Sequence, residues 1–352
     1  MAYKGINNTT PYPAEPVFLS DEEGRDLLIV MVKSTYAINN DCELELSETQ
    51  IPLVLGGEHY TGPNDSGLKF APEACFAKEA TDIAIIGHAW PPEGVAKKVD
   101  ATVFIGNIQK TIRVFGDRIW KKKGLLLKTW KKTKPLPFIK IPIVWERAFG
   151  GQDLSAKKKK KHEFEKRNLI GTGMISKSSL LKEVPMPNIE DPKNLIKSPK
   201  DRPEPAGFGF ISPEWEPRIQ YAGTYDDAWM KKRMPLLPED FKKRFLNAAQ
   251  PDLISDGFLQ GNENVTLVNI SERGKLSFKL PGGKPDIQVK IQTDHSIDLD
   301  VVIDSLIINT DDHTVQILWR SEWPAQNRMY HIEEIVVSIK NNDEETEVEK
   351  QS

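Results

Sequence analysis

Two cysteines in 352 residues, Cys42 and Cys75, cannot supply a disulfide framework or a cysteine-rich zinc site, so both read as ordinary thiols. The six histidines, at 59, 88, 162, 295, 313 and 331, never fall three to five residues apart, which removes the local pairs that zinc sites most easily use. The sequence has no GxSxG elbow, no GxxxxGK phosphate loop, no GxGxxG turn after a strand and no HExxH helix. No stretch approaches the roughly 18 to 20 apolar residues of a membrane span. The N-terminal MAYKGINNTTPYPAEP lacks the apolar centre and the cleavage site of a signal peptide. These absences lead us to expect a cytoplasmic protein that is not an enzyme, with no cofactor, no metal and no membrane partner.

Helical periodicity is also scarce, and strands take its place. LLIVMVKSTYAI (Leu27–Ile38), DIAIIGHAW (Asp82–Trp90) and VDATVFIGNIQKTIRV (Val99–Val114) are rich in β-branched residues. The last of these predicts a hairpin turning at Gly106-Asn107, because that pair tolerates positive φ. Strand patterns return at Val265–Ile270, Leu276–Leu280, Ile287–Ile291, Leu299–Ile308, Thr314–Trp319 and Ile332–Lys340. The fold class expected is mainly β: an antiparallel sandwich or barrel-like body with long irregular loops and a few short helices. One domain over 1–340 follows, with strands in 20–115 and 262–340 enclosing an irregular Trp- and Pro-rich middle, 116–255. The polar, acidic NNDEETEVEKQS tail, 341–352, is expected to be disordered. The five lysines Lys157–Lys161 read as a solvated loop.

In the middle lies AGTYDDAWMKKRMPLLPEDFKKRFLN (Ala222–Asn247). Thr224 is placed to cap a short helix with Tyr225 and Trp229 on one face, which Pro235 stops. Asp240 is placed to cap a second, with Phe241, Phe245 and Ala248 on one stripe. Helices this short cannot stand alone, so they must lie on the β body.

Three chemistries compete for these residues. Paired carboxylates could serve glycoside hydrolysis, from Glu146, Glu190, Asp226, Asp227 and Asp240, although capping and strand alternation explain each of them. The basic KKKGLLLKTWKKTKPLPFIK from Lys121 interleaves cations with Trp130 and Phe138, as a single-strand nucleic-acid surface would. With a net charge of -3 over the chain, an acidic protein partner suits it better than nucleic acid. Tryptophan, tyrosine and arginine dominate protein interfaces, which makes Arg118, Trp120, Arg147, Arg218, Tyr225, Trp229 and Arg320 the candidate partner-binding residues.

The series GDRIW (Gly116–Trp120), PLPFIKIPIVWERAFGG (Pro135–Gly151), MPNIEDP (Met186–Pro192), PAGFGFISPEWEPR (Pro205–Arg218), AGTYDDAWMKKRMPLLPEDF (Ala222–Phe241) and VVIDSLIINTDDHTVQILWR (Val301–Arg320) resembles the family called domain of unknown function 2169. LLIVMVKSTYAI and KEATDIAIIGHAWPPEG fit its pattern too, so the resemblance runs over nearly the whole chain. One departure is local: NLIGTG (Asn168–Gly173) stands where the family pattern moves toward an NPxG-like stretch. The resemblance implies a type VI secretion adaptor or chaperone. Its partners would be a secreted effector and a spike or spike-tip protein. No family catalytic residues carry over. A glycan-binding or glycan-hydrolysing β-sandwich is the alternative.

Overall fold

The computed structural model describes residues 3–63, 65–76, 78–124, 129–292 and 295–339; the expected tail at 341–352 lies outside them, as do Leu125–Lys128 of the basic stretch. Strand Asp26–Ile38 forms the axis of a six-stranded sheet, paired with Ala14–Ser20 on one side and Thr314–Pro324 on the other. Val302–Asn309 and then Asp82–Ile86 extend it. Residues 27–32, LLIVMV, form an unbroken apolar run because both faces of the strand are covered. Leu28, Val30 and Val32 enter the main core, whereas Leu27, Ile29 and Met31 meet Leu318 on the opposite face. Burying each such side chain contributes about 1.5–3 kcal/mol.

A second sheet holds the expected hairpin, Lys98–Ile105 and Ile108–Phe115, turning at Gly106 with φ +55°. Asn264–Val268 and Lys275–Lys279 continue it. Here one face is solvated, so Val99, Ala101, Val103 and Ile105 alternate inward with polar or half-exposed neighbours. A third sheet of Ile6–Asn8, Ile332–Ile339, Pro285–Ile291 and His295–Leu299 turns Ile287, Val289, Ile335 and Val337 into the same core. The body is thus a layered β structure of open sheets, and among the described sheets none closes into a barrel. Pairing among the described strands is mostly antiparallel, with three parallel pairs: Asp82–Ile86 with Val302–Asn309, Ile6–Asn8 with Ile332–Ile339, and Phe149–Gly150 with Thr172–Gly173. The expected strand Asp82–Trp90 breaks at Gly87, leaving His88–Ala89 to pair elsewhere.

The middle is more than loop. Trp145 reaches the main core, donates Nε1–H to Phe210 O at 2.7 Å and meets Trp215 edge-on. Trp120, Phe149, Met174, Ile175, Val184, Met186 and Ile196 build a separate cluster under short ribbons. The WERAFGG turn is cradled by NLIGTG: Asn168 Nδ2 donates to Trp145 O at 2.7 Å and to Phe149 O at 3.1 Å, and Thr172 Oγ1 donates to Glu146 O at 2.8 Å.

Gly151 makes this possible. Its φ is +81°, and a Cβ there would sit 2.3 Å from Gly171 O. Gly151→Ala should therefore cost at least about 2 kcal/mol, from left-handed strain plus the clash. Gly282→Ala, at φ +72° in open space, carries the strain alone. A thermal melt in which both variants lose the same stability would refute the cradle.

Candidate docking platform

The arm from Arg218 to Leu246 is fastened at both ends. Arg218 is buried, donating Nη1 to Ile211 O and Nε to Phe245 O, both at 2.8 Å. Thr224 does not cap the helix; its N–H and Oγ1 donate to Asp240 at 2.9 and 2.7 Å. Asp226 is the cap, accepting from Trp229 N–H at 2.9 Å, and the helix runs Asp227–Lys232. Because Asp240 is engaged with Thr224, the expected second helix shrinks to the 3-10 turn Lys243–Leu246. Those two hydrogen bonds hold the Asp240 carboxyl below the usual carboxylate range.

Past the helix, Trp229 Nε1 donates to Leu236 O at 2.8 Å and Arg233 Nε donates to Leu237 O at 3.0 Å. Arg233 also reaches back to the loop before the central strand, donating to Glu22 O at 2.8 Å and to Glu23 Oε2 at 3.1 Å. The arm is therefore a braced projection. On it stand Tyr225 at 54% exposure, Met230 at 59% and Met234 at 61%, with Ile219 also exposed. Tyr225 packs edge-on against Trp229, ring centroids 4.7 Å apart. A cleft of about 260 Å³ beside Trp229 is lined by Thr224, Asp226, Lys232, Arg233, Pro238 and Asp240, among others.

Of the seven candidate interface residues, the structure gathers two here, Tyr225 and Trp229. Four others are turned inward, and this corrects their expected place at a surface. Arg118 pairs with Glu190, stacks on the Phe115 ring at 3.8 Å and donates to Pro187 O at 2.9 Å. Trp120 belongs to the satellite cluster. Arg218 locks the arm as described, and Arg320, 1% exposed, donates to Asp304 Oδ2 at 2.7 Å. Desolvating a guanidinium is costly, so each of these was buried only with carboxylate or carbonyl acceptors around it. Arg147 remains half-exposed, donating to Asn188 Oδ1 at 2.8 Å rather than to the carbonyls of its own turn. Met230 and Met234 were missed, although their four-residue spacing and neighbouring Trp229 signalled a soft apolar face.

Of the carboxylates considered for glycan chemistry, Asp226 and Asp240 share the cleft beside Trp229, but Glu146 and Glu190 lie elsewhere, and these four are engaged in hydrogen bonds of their own. Glu190 is held by Arg118 and by Ile196 N–H, Asp226 caps the helix, Asp240 holds Thr224, and Glu146 accepts from Gly67 N–H at 3.2 Å. A separate groove of about 210 Å³ lies between Trp145, Arg167, Glu204, Glu216, Gln220 and Gln250, and none of the five carboxylates lines it. Among the described residues no cluster of three or more His, Cys, Asp or Glu could hold a metal ion, and no helix is long and apolar enough to cross a membrane.

Comparison with known proteins gives a family match. The family model described as "uncharacterized protein conserved in bacteria", domain of unknown function 2169, covers residues 23–320. No curated protein and no solved structure matches the chain.

Proposed function

The chain belongs to the domain of unknown function 2169 family, and on that premise we propose that it is a non-catalytic, cytoplasmic adaptor of type VI secretion. It binds a secreted effector and hands it to the spike or spike-tip protein. The observation that supports this reading is the braced arm carrying Tyr225, Met230 and Met234 into solvent, with half-buried Trp229 packed against Tyr225. Large apolar side chains exposed on a rigid support lose little freedom when a partner covers them, and that makes such a surface a binding site. Methionines adapt to more than one apolar contour. By holding an aggregation-prone effector segment, the adaptor would raise the effector's soluble fraction by mass action. Release would come from competition by the spike, with no nucleotide required.

The test is a pulldown of the tagged full chain from its own cells with the secretion apparatus expressed, followed by mass spectrometry. The expected result is an effector or spike-tip protein in near-stoichiometric amount, whose solubility rises on co-expression. Recovery of neither, or an unchanged soluble fraction, would overturn the proposal.

A further inference from the structure

The net charge of -3 conceals a separation. Residues 116–200 carry 22 lysines and arginines against 8 aspartates and glutamates, a formal +14, which leaves -17 on the rest of the chain. The fold keeps the basic segment together. Its ribbon, strands Thr129–Lys132, Ile119–Lys123 and Glu183–Pro185 in that order, covers the satellite cluster of Trp120, Ile175, Val184 and Ile196. Lys122 Nζ donates to Ser179 O at 2.7 Å and Lys132 Nζ to Ile196 O at 3.3 Å, tying ribbon to lobe. Lys121 takes Glu183 at 2.9 Å. Lys123, Lys131, Lys177 and Lys200 are exposed and have no ion-pair partner among the described residues, and the same holds for Lys157–Lys161.

Two further features give this field a shape. Thr129–Lys132 is an edge strand, paired with Ile119–Lys123 alone among the described strands, and so has one side for another backbone. Its Trp130 lines a cleft of about 510 Å³ together with Glu163, Ile175, Lys177, Lys200 and Arg202. Lysines on a sheet edge repel a second copy of that edge. They admit a strand of the opposite charge.

We propose that this edge and cleft bind an acidic polypeptide segment in extended conformation, added as a fourth strand with its apolar side chains over Trp130 and its carboxylates among the lysines. Nucleic acid fits less well. It has no extended polypeptide backbone to pair with the open strand edge, so it could use the lysines but not the edge. The inference rests on this charge geometry and not on the secretion reading.

The experiment uses the full chain and a fluorescein-labelled peptide of about twelve alternating glutamates and valines, one β-strand in length, with an oligo-thymidine of equal length as the competing probe. Fluorescence anisotropy at about 50 mM salt should show peptide binding that weakens about tenfold or more by about 300 mM, as the Debye length shrinks. The variant Lys131→Glu with Lys200→Glu should lose about tenfold in affinity at low salt. Its fold is safe, because both side chains are exposed and neither has an ion-pair partner among the described residues, and a glutamate at 131 stands opposite Lys121. No peptide binding at low salt, undiminished binding by the variant, or oligo-thymidine binding as tightly as the peptide would each overturn the proposal.

Discussion

Replacing Asp304 with alanine should cost about 3–5 kcal/mol, because it leaves buried Arg320 with no carboxylate and buried Lys78 with Asp82 alone. Asp304, 1% exposed, accepts Arg320 Nε on one oxygen and Lys78 Nζ on the other, both at 2.7 Å. Arg320 also donates to Cys75 O and, at 2.7 Å, to Glu73 O, while Lys78 reaches Asp82 Oδ2 at 2.9 Å. Asp82 in turn accepts Ala248 N–H at 2.8 Å, and Glu73 accepts Lys33 Nζ at 2.7 Å. One carboxylate thus ties the central sheet to the segment holding Glu73, Cys75 and Lys78. Without it the remaining acceptors cannot compensate both charges in a region water does not reach.

The same group sets the acid limit. Burial alone would raise the pKa of Asp304, but Arg320 and Lys78 outweigh burial and hold it far below the ordinary carboxylate range. A folded-state pKa depressed in this way adds stability that is fully present above the unfolded value of about 3.9 and drains away as pH falls below it. Asp153 acts in the same direction: burial opposes ionisation, yet hydrogen bonds from Ser155 and Ser176 bring its pKa down to about 2. The wild-type urea midpoint should therefore hold through about pH 5 and fall below about pH 4. Asp304→Ala should lower the midpoint sharply at neutral pH and flatten its fall in acid. An unchanged midpoint at neutral pH would show that the network adds nothing to stability.

How far such features could be read in advance depended on range. The central strands were legible because Leu27–Ile38 and Thr314–Trp319 are apolar runs whose meaning is local, and the Gly106 turn announced itself by residue type. Arg320 carried no such mark. Its acceptor at Cys75 lies 245 residues away, and a composition that favours interfaces favours buried ion networks equally. The helix was foreseen but its cap was displaced by two residues. Thr224 and Asp226 are both good caps, and the choice between them was made by Asp240, which binds Thr224 from 16 residues downstream. That one contact also removed the helix expected after Asp240. The charge separation was hidden by summing over the whole chain, since a net charge near zero says nothing about where the charges lie.

On the docking arm, Met230→Asp with Met234→Asp should weaken binding of the recovered effector by about 30-fold or more, the loss expected when about 2 kcal/mol of apolar contact is removed from an interface centre. Both side chains are more than half exposed and neither caps nor braces the arm, so the thermal midpoint should stay at the wild-type value. Trp229→Ala provides the contrast. Its indole packs against Tyr225 and donates to Leu236 O, so that variant should lose binding and loosen the arm together. The two results separate surface from support: a methionine double variant that is stable but does not bind identifies the exposed face as the contact. If it binds with wild-type affinity while Trp229→Ala fails, the arm matters only as scaffold. Titration calorimetry on the purified complex, beside a melt of each variant, decides between these outcomes, and the second would move the effector off the arm altogether.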